Sequence, residues 1–260
     1  MNKILDELLQ VDYASKINKI KHFLSRATIV NNLHGLVFGL SGGLDSTIIA
    51  YLCSIVNRQN TLVLIMPDPE VTPIQETKDA ITIANKLKLN YKVINISLIV
   101  DTYMKHVGTH DHALGNLRSR IRSNILYYYS NMKNYLVVGT TDKSEYLLGY
   151  FTKFGDGGAD ALPLVSLYKT QLKKFAKQLQ ISERIINKKS SPHILKNQLA
   201  ENDIGLTYNK IDVILYCLFD KKLSLHETSK LTSFDINSIN KIFYMYKKNR
   251  HKRKNSLRPC

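Results

Sequence analysis

Four stretches of the chain carry residue types at spacings that suit chemistry on an anionic ligand. In the first, an apolar run ends in Gly39-Leu40-Ser41-Gly42-Gly43-Leu44-Asp45-Ser46, and a helical pattern follows. Strand, glycine turn and helix N-terminus leave backbone N–H groups free beside the positive end of a helix, a combination that collects phosphate. No Gly-Lys-Ser/Thr follows the glycines, so this is not a Walker A loop. The second stretch, Thr140-Thr141-Asp142-Lys143-Ser144-Glu145, opens from another apolar run. The third, residues 149–160, mixes glycines, Tyr150, Phe151, Lys153, Phe154 and the aspartates Asp156 and Asp160. There glycines permit close backbone approach, aromatics offer stacking faces, and carboxylates act as hard ligands or hydroxyl acceptors. In the fourth, Lys169-Thr170 stands at the start of a helical pattern. A lysine in a first turn opposes the helix dipole, so an anionic ligand is expected beside it.

Arginines add to this set. Arg118, Arg120 and Arg122 alternate along a helix read over 115–131. Each helical residue turns about 100°, so the three spread over about 200° and cannot serve one phosphate. Arg120 and Arg122 are expected to straddle neighbouring anions and Arg118 to be solvated. Ile121, Ile125, Leu126 and Tyr129 on the same helix suit packing on a sheet or on a second subunit. The cluster His106, His110, Asp111 and His112 has metal-ligand chemistry but no second ligand cluster to complete it. Gly108 and Gly115 there read as marks of a loop, so the segment is expected to be a surface connection.

The elements that must position these residues follow from hydrophobic period. Apolar runs at 35–40, 61–66, 91–96 and 135–139 alternate with helical patterns at 46–58, 73–89, 98–107 and 115–131. That rhythm predicts an α/β fold with a doubly wound parallel sheet and ligands at the carboxyl ends of its strands. The loop at 39–46 and the strand end at Met66-Pro67 both lie there, which places adenine near Met66. Helices are expected over 1–7 and 13–30 before the first strand, and over 167–179 after the last. Residues 187–204 read as a loop or lid. Helical patterns at 208–219, 223–231 and 235–246 form a C-terminal helical cover, and 247–254 is a basic run. No repeat or internal boundary appears, so residues 1–260 are expected to form a single domain.

Composition bounds the rest. The 260 residues are 44% hydrophobic, which suits a globular chain, and carry a net charge of +16. Only the C-terminal run concentrates that charge and no nucleic-acid module accompanies it, which argues for polyphosphate substrates and against nucleic acid. No apolar run approaches the length of about 20 residues that spans a bilayer. The first residues lack the pattern of a signal peptide. Cys53, Cys217 and Cys260 are odd in number and far apart, so neither a disulfide framework nor a zinc site is expected and a cytoplasmic setting is.

With these blocks side by side, the chain resembles the ammonia-dependent NAD synthetases. Ser41-Gly42-Gly43-Leu44-Asp45-Ser46 has the wording of the pyrophosphatase-type ATP loop, which several enzyme groups share. Far more specific is the order of Gly115-Asn116 with Arg120 and Arg122, Gly139-Thr140 through Glu145, the block at 149–160, Leu167-Tyr168-Lys169-Thr170, Gly205 with Tyr208 and Ile211-Asp212, and His251-Lys252-Arg253. The resemblance implies an adenine nucleotide alpha hydrolase-like fold and the amidation of deamido-NAD by ammonia, with ATP cleaved to AMP and pyrophosphate. It implies that Gly39, Leu40, Ser41, Gly42, Gly43, Leu44, Asp45 and Ser46 hold ATP together with Met66, Arg122, Thr140, Lys169 and Ser191. It further implies that Asp45 and Glu145 bind Mg2+ and share catalysis with Lys169. Arg120, Tyr150, Lys153, Asp156, Asp160, His251 and Lys252 would hold deamido-NAD, in a homodimer whose partner completes each dinucleotide site. One stretch departs from the family, which writes Ser-Ala-Gly-Leu-Trp-x-Gly-Gln-Thr-Asp-Glu where this chain has 191–201. Ser191, Gln198 and Glu201 match, while Leu199-Ala200 replaces the Thr-Asp pair and the glycines and tryptophan are absent. That change leaves nicotinate mononucleotide or another carboxylate as an alternative substrate, and a tRNA-modifying enzyme with the same ATP loop is the remaining alternative.

Overall fold

Four parallel strands order as β3-β2-β1-β4 in a computed structural model that describes residues 2–192, 194–196 and 198–254. Met1, Cys260, and His193 and Asn197 of the expected lid lie outside the described residues. Helices α1 (Asn2–Leu9) and α2 (Tyr13–Val30) lead into β1 (Gly35–Gly39), then α3 (Leu44–Asn57) and β2 (Thr61–Ile65). Next come α4 (Ile74–Lys86), β3 (Asn90–Val93), α5 (Ser97–Val107), α6 (Asp111–Lys133) and β4 (Tyr135–Val137). The chain continues through α7 (Lys143–Leu148), α8 (Lys169–Gln178), α9 (Glu183–Ile186) and α10 (Ala200–Ile204). It closes with α11 (Tyr208–Leu215), a π-helical turn (Tyr216–Asp220), α12 (Leu225–Thr232), α13 (Ile236–Lys248) and a 3-10 turn (Asn249–Arg253).

Alternation along the strands divides the core. Leu36 and Phe38 of β1, with Val63 and Ile65 of β2, pack under α2, α3, α4 and α8. Val37, Leu62, Leu64 and Val137 face α5 and α6. Helices thus cover both faces, as a doubly wound parallel sheet requires. A separate apolar cluster joins α1, α7, α11 and α13 as the C-terminal helical cover.

Chain order runs outward from β1 through β2 to β3 and then returns to β4 on the other side of β1. The switch point between β1 and β4 opens a crevice at the strand ends, the position where open α/β sheets bind ligands. The loops that follow β1 and β4 are 40–43 and 138–142, which carry the first two motif stretches.

Two expectations are corrected. Gly115 lies inside α6 rather than in a loop, because the helix starts at Asp111. The His110 ring caps that helix by accepting the Ala113 N–H at 3.4 Å. Gly115 permits close packing, since an added Cβ would stand 3.3 Å from the Ile194 carbonyl oxygen. Residues 187–204 are not loop throughout, as α10 occupies their end.

Candidate active site

The turn after β1 is built by its own hydroxyls. Ser46 Oγ donates to the Gly43 carbonyl at 3.2 Å and accepts the Ser41 N–H at 3.2 Å. Thr47 Oγ1 donates to the same carbonyl at 2.7 Å. Gly42 has φ of +86°, and a Cβ there would stand 2.3 Å from the Glu76 carbonyl oxygen, so only glycine fits. The turn is also tied from outside. Lys188 Nζ donates to the Gly42 carbonyl at 2.9 Å and pairs with Glu76 at 2.8 Å and Asp79 at 2.6 Å. Burial alone would raise the Asp79 carboxyl, yet hydrogen bonds from Arg184 and Lys188 hold it well below the usual carboxylate range.

At the mouth of the crevice three carboxylates converge on one ammonium. Lys169 Nζ lies 2.7 Å from Asp45 Oδ2, 2.8 Å from Asp142 Oδ2 and 2.8 Å from Glu145 Oε1. Asp45 comes from the first turn of α3 and Lys169 begins α8. Asp142 and Glu145 form a capping box on α7, with the Glu145 N–H donating to Asp142 Oδ1 at 2.8 Å. The anion expected beside Lys169 is therefore supplied by the chain itself. Burial and the neighbouring carboxylates raise the Glu145 carboxyl, and Asp142 shifts the same way. The three carboxylates hold the Lys169 ammonium charged against its burial.

A second tier fixes this cluster. Asp212, fully buried on α11, accepts the Ser144 hydroxyl at 2.5 Å and the Thr170 N–H at 2.8 Å. Ser144 Oγ in turn accepts the Lys169 N–H at 3.0 Å. One carboxylate thus binds the start of α8 directly and through the hydroxyl beside Glu145. Burial pushes the Asp212 carboxyl up to about 7.

A cleft of about 400 Å3 opens from the cluster. Gly39, Leu40, Ser41, Gly43, Leu44, Asp45, Ser46, Met66, Arg122, Thr140, Glu145, Lys169 and Ser191 line it, with Tyr150 and Asp156. Gly42, of the same turn, does not line it. Arg122 donates Nε to the Met66 carbonyl at 3.0 Å, and burial lowers its guanidinium to about 10. A second cleft of about 640 Å3 takes Lys153 and Lys252, with Tyr127, Phe151 and Phe154. Ser123, Thr141, Gly158 and Ala159 line both clefts, so the two adjoin.

Other expected site residues are engaged within the chain. Asp160 accepts the Tyr127 hydroxyl and the Val137 N–H, both at 2.9 Å, and lines neither cleft. Asp156 Oδ1 accepts the Ser119 hydroxyl at 2.7 Å and the Thr152 N–H at 2.9 Å. Tyr150 donates to Asp203 at 2.6 Å. Lys252 Nζ donates to the Gly149 and Phe151 carbonyls, each at 2.8 Å, so part of the basic run caps a backbone turn. Arg120 and His251 are exposed and line neither cleft, with Arg120 Nε donating to the Lys153 carbonyl at 3.3 Å.

Arg118 is the clear correction. It is buried rather than solvated, donates Nε to Asp68 at 2.6 Å, and pairs with Glu70. Its Nη1 also donates to the Ile194 carbonyl at 3.3 Å, so α6 holds the segment that departs from the family's wording. Spacing could not reveal this, because the acids lie about 50 residues upstream. Asp142, Asp212 and Lys188 were likewise missed as functional candidates. Only Asp142 had a local signal, the Asp-x-x-Glu of a capping box.

Among the described residues, Asp45, Asp142 and Glu145 form the one group with metal-ligand geometry, one oxygen from each lying within 4.8 Å of the others. Asp45 Oδ1 is buried with no hydrogen-bond partner among the described residues. Hard carboxylate oxygens of this kind fit Mg2+. Among the described residues the cysteines offer no nucleophile: Cys53 and Cys217 are buried, and burial pushes both thiols up.

Comparison with known proteins identifies the family. The family described as NAD synthase matches residues 16–256. The NH(3)-dependent NAD(+) synthetase of Hyperthermus butylicus is 43% identical over 263 residues, covering 100% of this chain and 95% of its own. The solved NMN synthetase from Francisella tularensis superposes with a TM-score of 0.85 at 30% identity, covering 96% of this chain and 99% of that one. The NH3-dependent NAD synthetase from Campylobacter jejuni, in complex with the nitrate ion, gives 0.81 at 32% identity, with coverage of 96% and 99%.

Proposed function

This chain belongs to the NAD synthase family, and from that premise we propose how its cleft carries out ATP-dependent amidation of deamido-NAD by ammonia. It is a ligase that forms a C–N bond, and ATP is a substrate. The observation that carries the reading is the convergence of Asp45, Glu145 and Lys169 beside an ATP loop at the β1/β4 switch point.

A carboxylate is a poor electrophile, because its leaving group would be oxide. In the proposed first step a carboxylate oxygen of deamido-NAD attacks the α-phosphorus of ATP and pyrophosphate departs, leaving an acyl-adenylate. Ammonia then attacks the acyl carbon, AMP leaves with the former carboxylate oxygen, and a proton is released. The turn at 39–46 offers its amides to the polyphosphate, and Lys169, once its carboxylates hold Mg2+, would neutralise charge on the departing pyrophosphate. Arg122 and Thr140 are assigned to ATP, with Met66 beside the adenine and Ser191 across the cleft. We assign Mg2+ to Asp45 and Glu145, with Asp142 as a third carboxylate. Bound there, the ion would offset polyphosphate charge.

The adjoining cleft is assigned to the dinucleotide, with Lys153 and Lys252 lining it and Tyr150 and Asp156 on the wall of the first cleft. Asp160 is proposed to act through Tyr127 and the backbone of Val137. Arg120 and His251 lie outside both clefts, which supports a homodimer in which they reach a shared site. Exposed Tyr128 and Met132 on α6 support the same assembly. We further propose that residues 1–260 work as one domain, since Gln171 of α8 donates to the Leu8 carbonyl of α1 at 2.7 Å. No helix among the described residues is long and apolar enough to cross a membrane. Buried free thiols support placement in the cytoplasm.

The likeness to an NMN synthetase favours one second reading, nicotinate mononucleotide as the carboxylate. The step common to both readings is tested with substrate labelled with 18O in its carboxylate. One labelled oxygen is expected in AMP; its recovery in inorganic phosphate or water would overturn the acyl-adenylate.

A further inference from the structure

Tyr208 opens α11 at 6% exposure and lines the first cleft beside Glu145, Lys169, Ser191 and Glu201. Its backbone N–H donates to Glu201 Oε1 at 2.6 Å, so the main chain at this position is fixed. Its phenol is a different matter. The Tyr208 Oη is buried and has no hydrogen-bond partner among the described residues.

Most acceptors around it are already in use, and the unpaired Asp45 Oδ1 belongs to the carboxylate group that fits Mg2+. Glu145 Oε1 takes the Lys169 ammonium and Oε2 takes the Asp142 N–H, while Asp45 Oδ2 takes Lys169. The Lys169 ammonium stands 5.5 Å from the centre of the Tyr208 ring, which fixes the ring beside the catalytic cluster. A buried hydroxyl without a partner detracts from folding stability, since it gives up water and gains nothing. Phenylalanine would fill the same space without that cost. Burial also holds the phenol protonated, so the group acts as an O–H donor. Lys169, Lys173, Lys188 and Lys189 line the same cleft, so an incoming acceptor there is an anionic oxygen.

We propose that the Tyr208 hydroxyl binds a phosphate oxygen of ATP and of the pyrophosphate it releases. The assignment rests on the ATP-cleaving reading above and adds a polyphosphate ligand outside the glycine turn. It also explains why α11 begins at the cleft wall: the helix brings Tyr208 to the ligand and, one turn later, Asp212 to the back of Lys169.

The test is Tyr208→Phe in the full chain, with inorganic pyrophosphate and Mg2+ as the calorimetric probe. Pyrophosphate affinity and the KM for ATP should each worsen about tenfold or more, as for loss of a hydrogen bond to a charged group. The KM for deamido-NAD should stay within about twofold, and the thermal midpoint should hold or rise because an unpaired hydroxyl is gone. Unchanged pyrophosphate affinity overturns the assignment. So does a loss confined to the KM for deamido-NAD, which moves the hydroxyl to the dinucleotide. A lower thermal midpoint with unaltered binding would make Tyr208 a packing residue only. NAD formation by the native chain is the control: pyrophosphate binding that depends on Tyr208 without NAD formation would keep this assignment while removing the substrate.

Discussion

The ammonium of Lys169 rests 2.7 Å from Oδ2 of Asp45, although the two residues are 124 positions apart in sequence. The contact joins the first turn of α3, which follows the ATP loop, to the first turn of α8. Lys169 also neutralises Asp142 and Glu145, so a single cation holds three carboxylates together.

Replacing that cation tests the cluster as an electrostatic unit. Lys169→Met leaves three acids without their partner, and breaking a buried pair costs about 3–5 kcal/mol. The variant should melt lower than the native chain and lose about a hundred- to a thousandfold in turnover. Added Mg2+ should raise its melting midpoint more than that of the native chain, because the acids then regain a cation. Equal responses to Mg2+ would remove the metal assignment from these carboxylates.

Arg118 offers a test away from the chemistry. Arg118→Met strands Asp68, which is 1% exposed, at a cost of about 3–5 kcal/mol. It also removes the donor to the Ile194 carbonyl. Thermal melts should show the loss, and hydrogen exchange should rise selectively at residues 194–196. A neutral effect on both would mean that the pair does not hold this segment.

How much of this was legible in the sequence depended on range. The strand and helix rhythm sufficed for the doubly wound sheet, since alternation of Val37 and Leu62 against Phe38 and Val63 is local. The ATP turn and Lys169 were legible for the same reason, as each motif is a few residues long. Arg118 was not, because its acids, Asp68 and Glu70, lie in a different loop and a lone arginine carries no mark of burial. Gly115 read as a loop residue because its close neighbour, Ile194, is 79 residues away in sequence. Asp212 was seen only as part of a block. Its link to Lys169 through Ser144 needs three helices to meet. The expected role of Asp160 rested on resemblance, and here its oxygens are held by Tyr127 and Val137.

Asp212 also predicts a pH dependence. Burial pushes its carboxyl from an ordinary 3.8 up to about 7. Between those values the folded chain keeps a proton that the unfolded chain has released. This contribution to stability is therefore full below about pH 4 and is lost as pH rises through about 7. Asp212→Asn cannot titrate. The melting midpoint of the native chain minus that of the variant should fall as pH rises across this window, measured without added metal. A difference that stays flat would contradict the buried, proton-binding carboxyl.

The central claim is that one cleft couples ATP cleavage at the α-phosphate to amide formation. The most direct measurement supplies the native chain with ATP, Mg2+, ammonium and deamido-NAD, with nicotinate mononucleotide in a parallel reaction, and follows NAD, NMN, AMP and pyrophosphate together. The account predicts NAD, AMP and pyrophosphate in equal amounts, with deamido-NAD the better substrate. ADP and phosphate in place of AMP and pyrophosphate, or no amide from either acid by a folded chain, would contradict it.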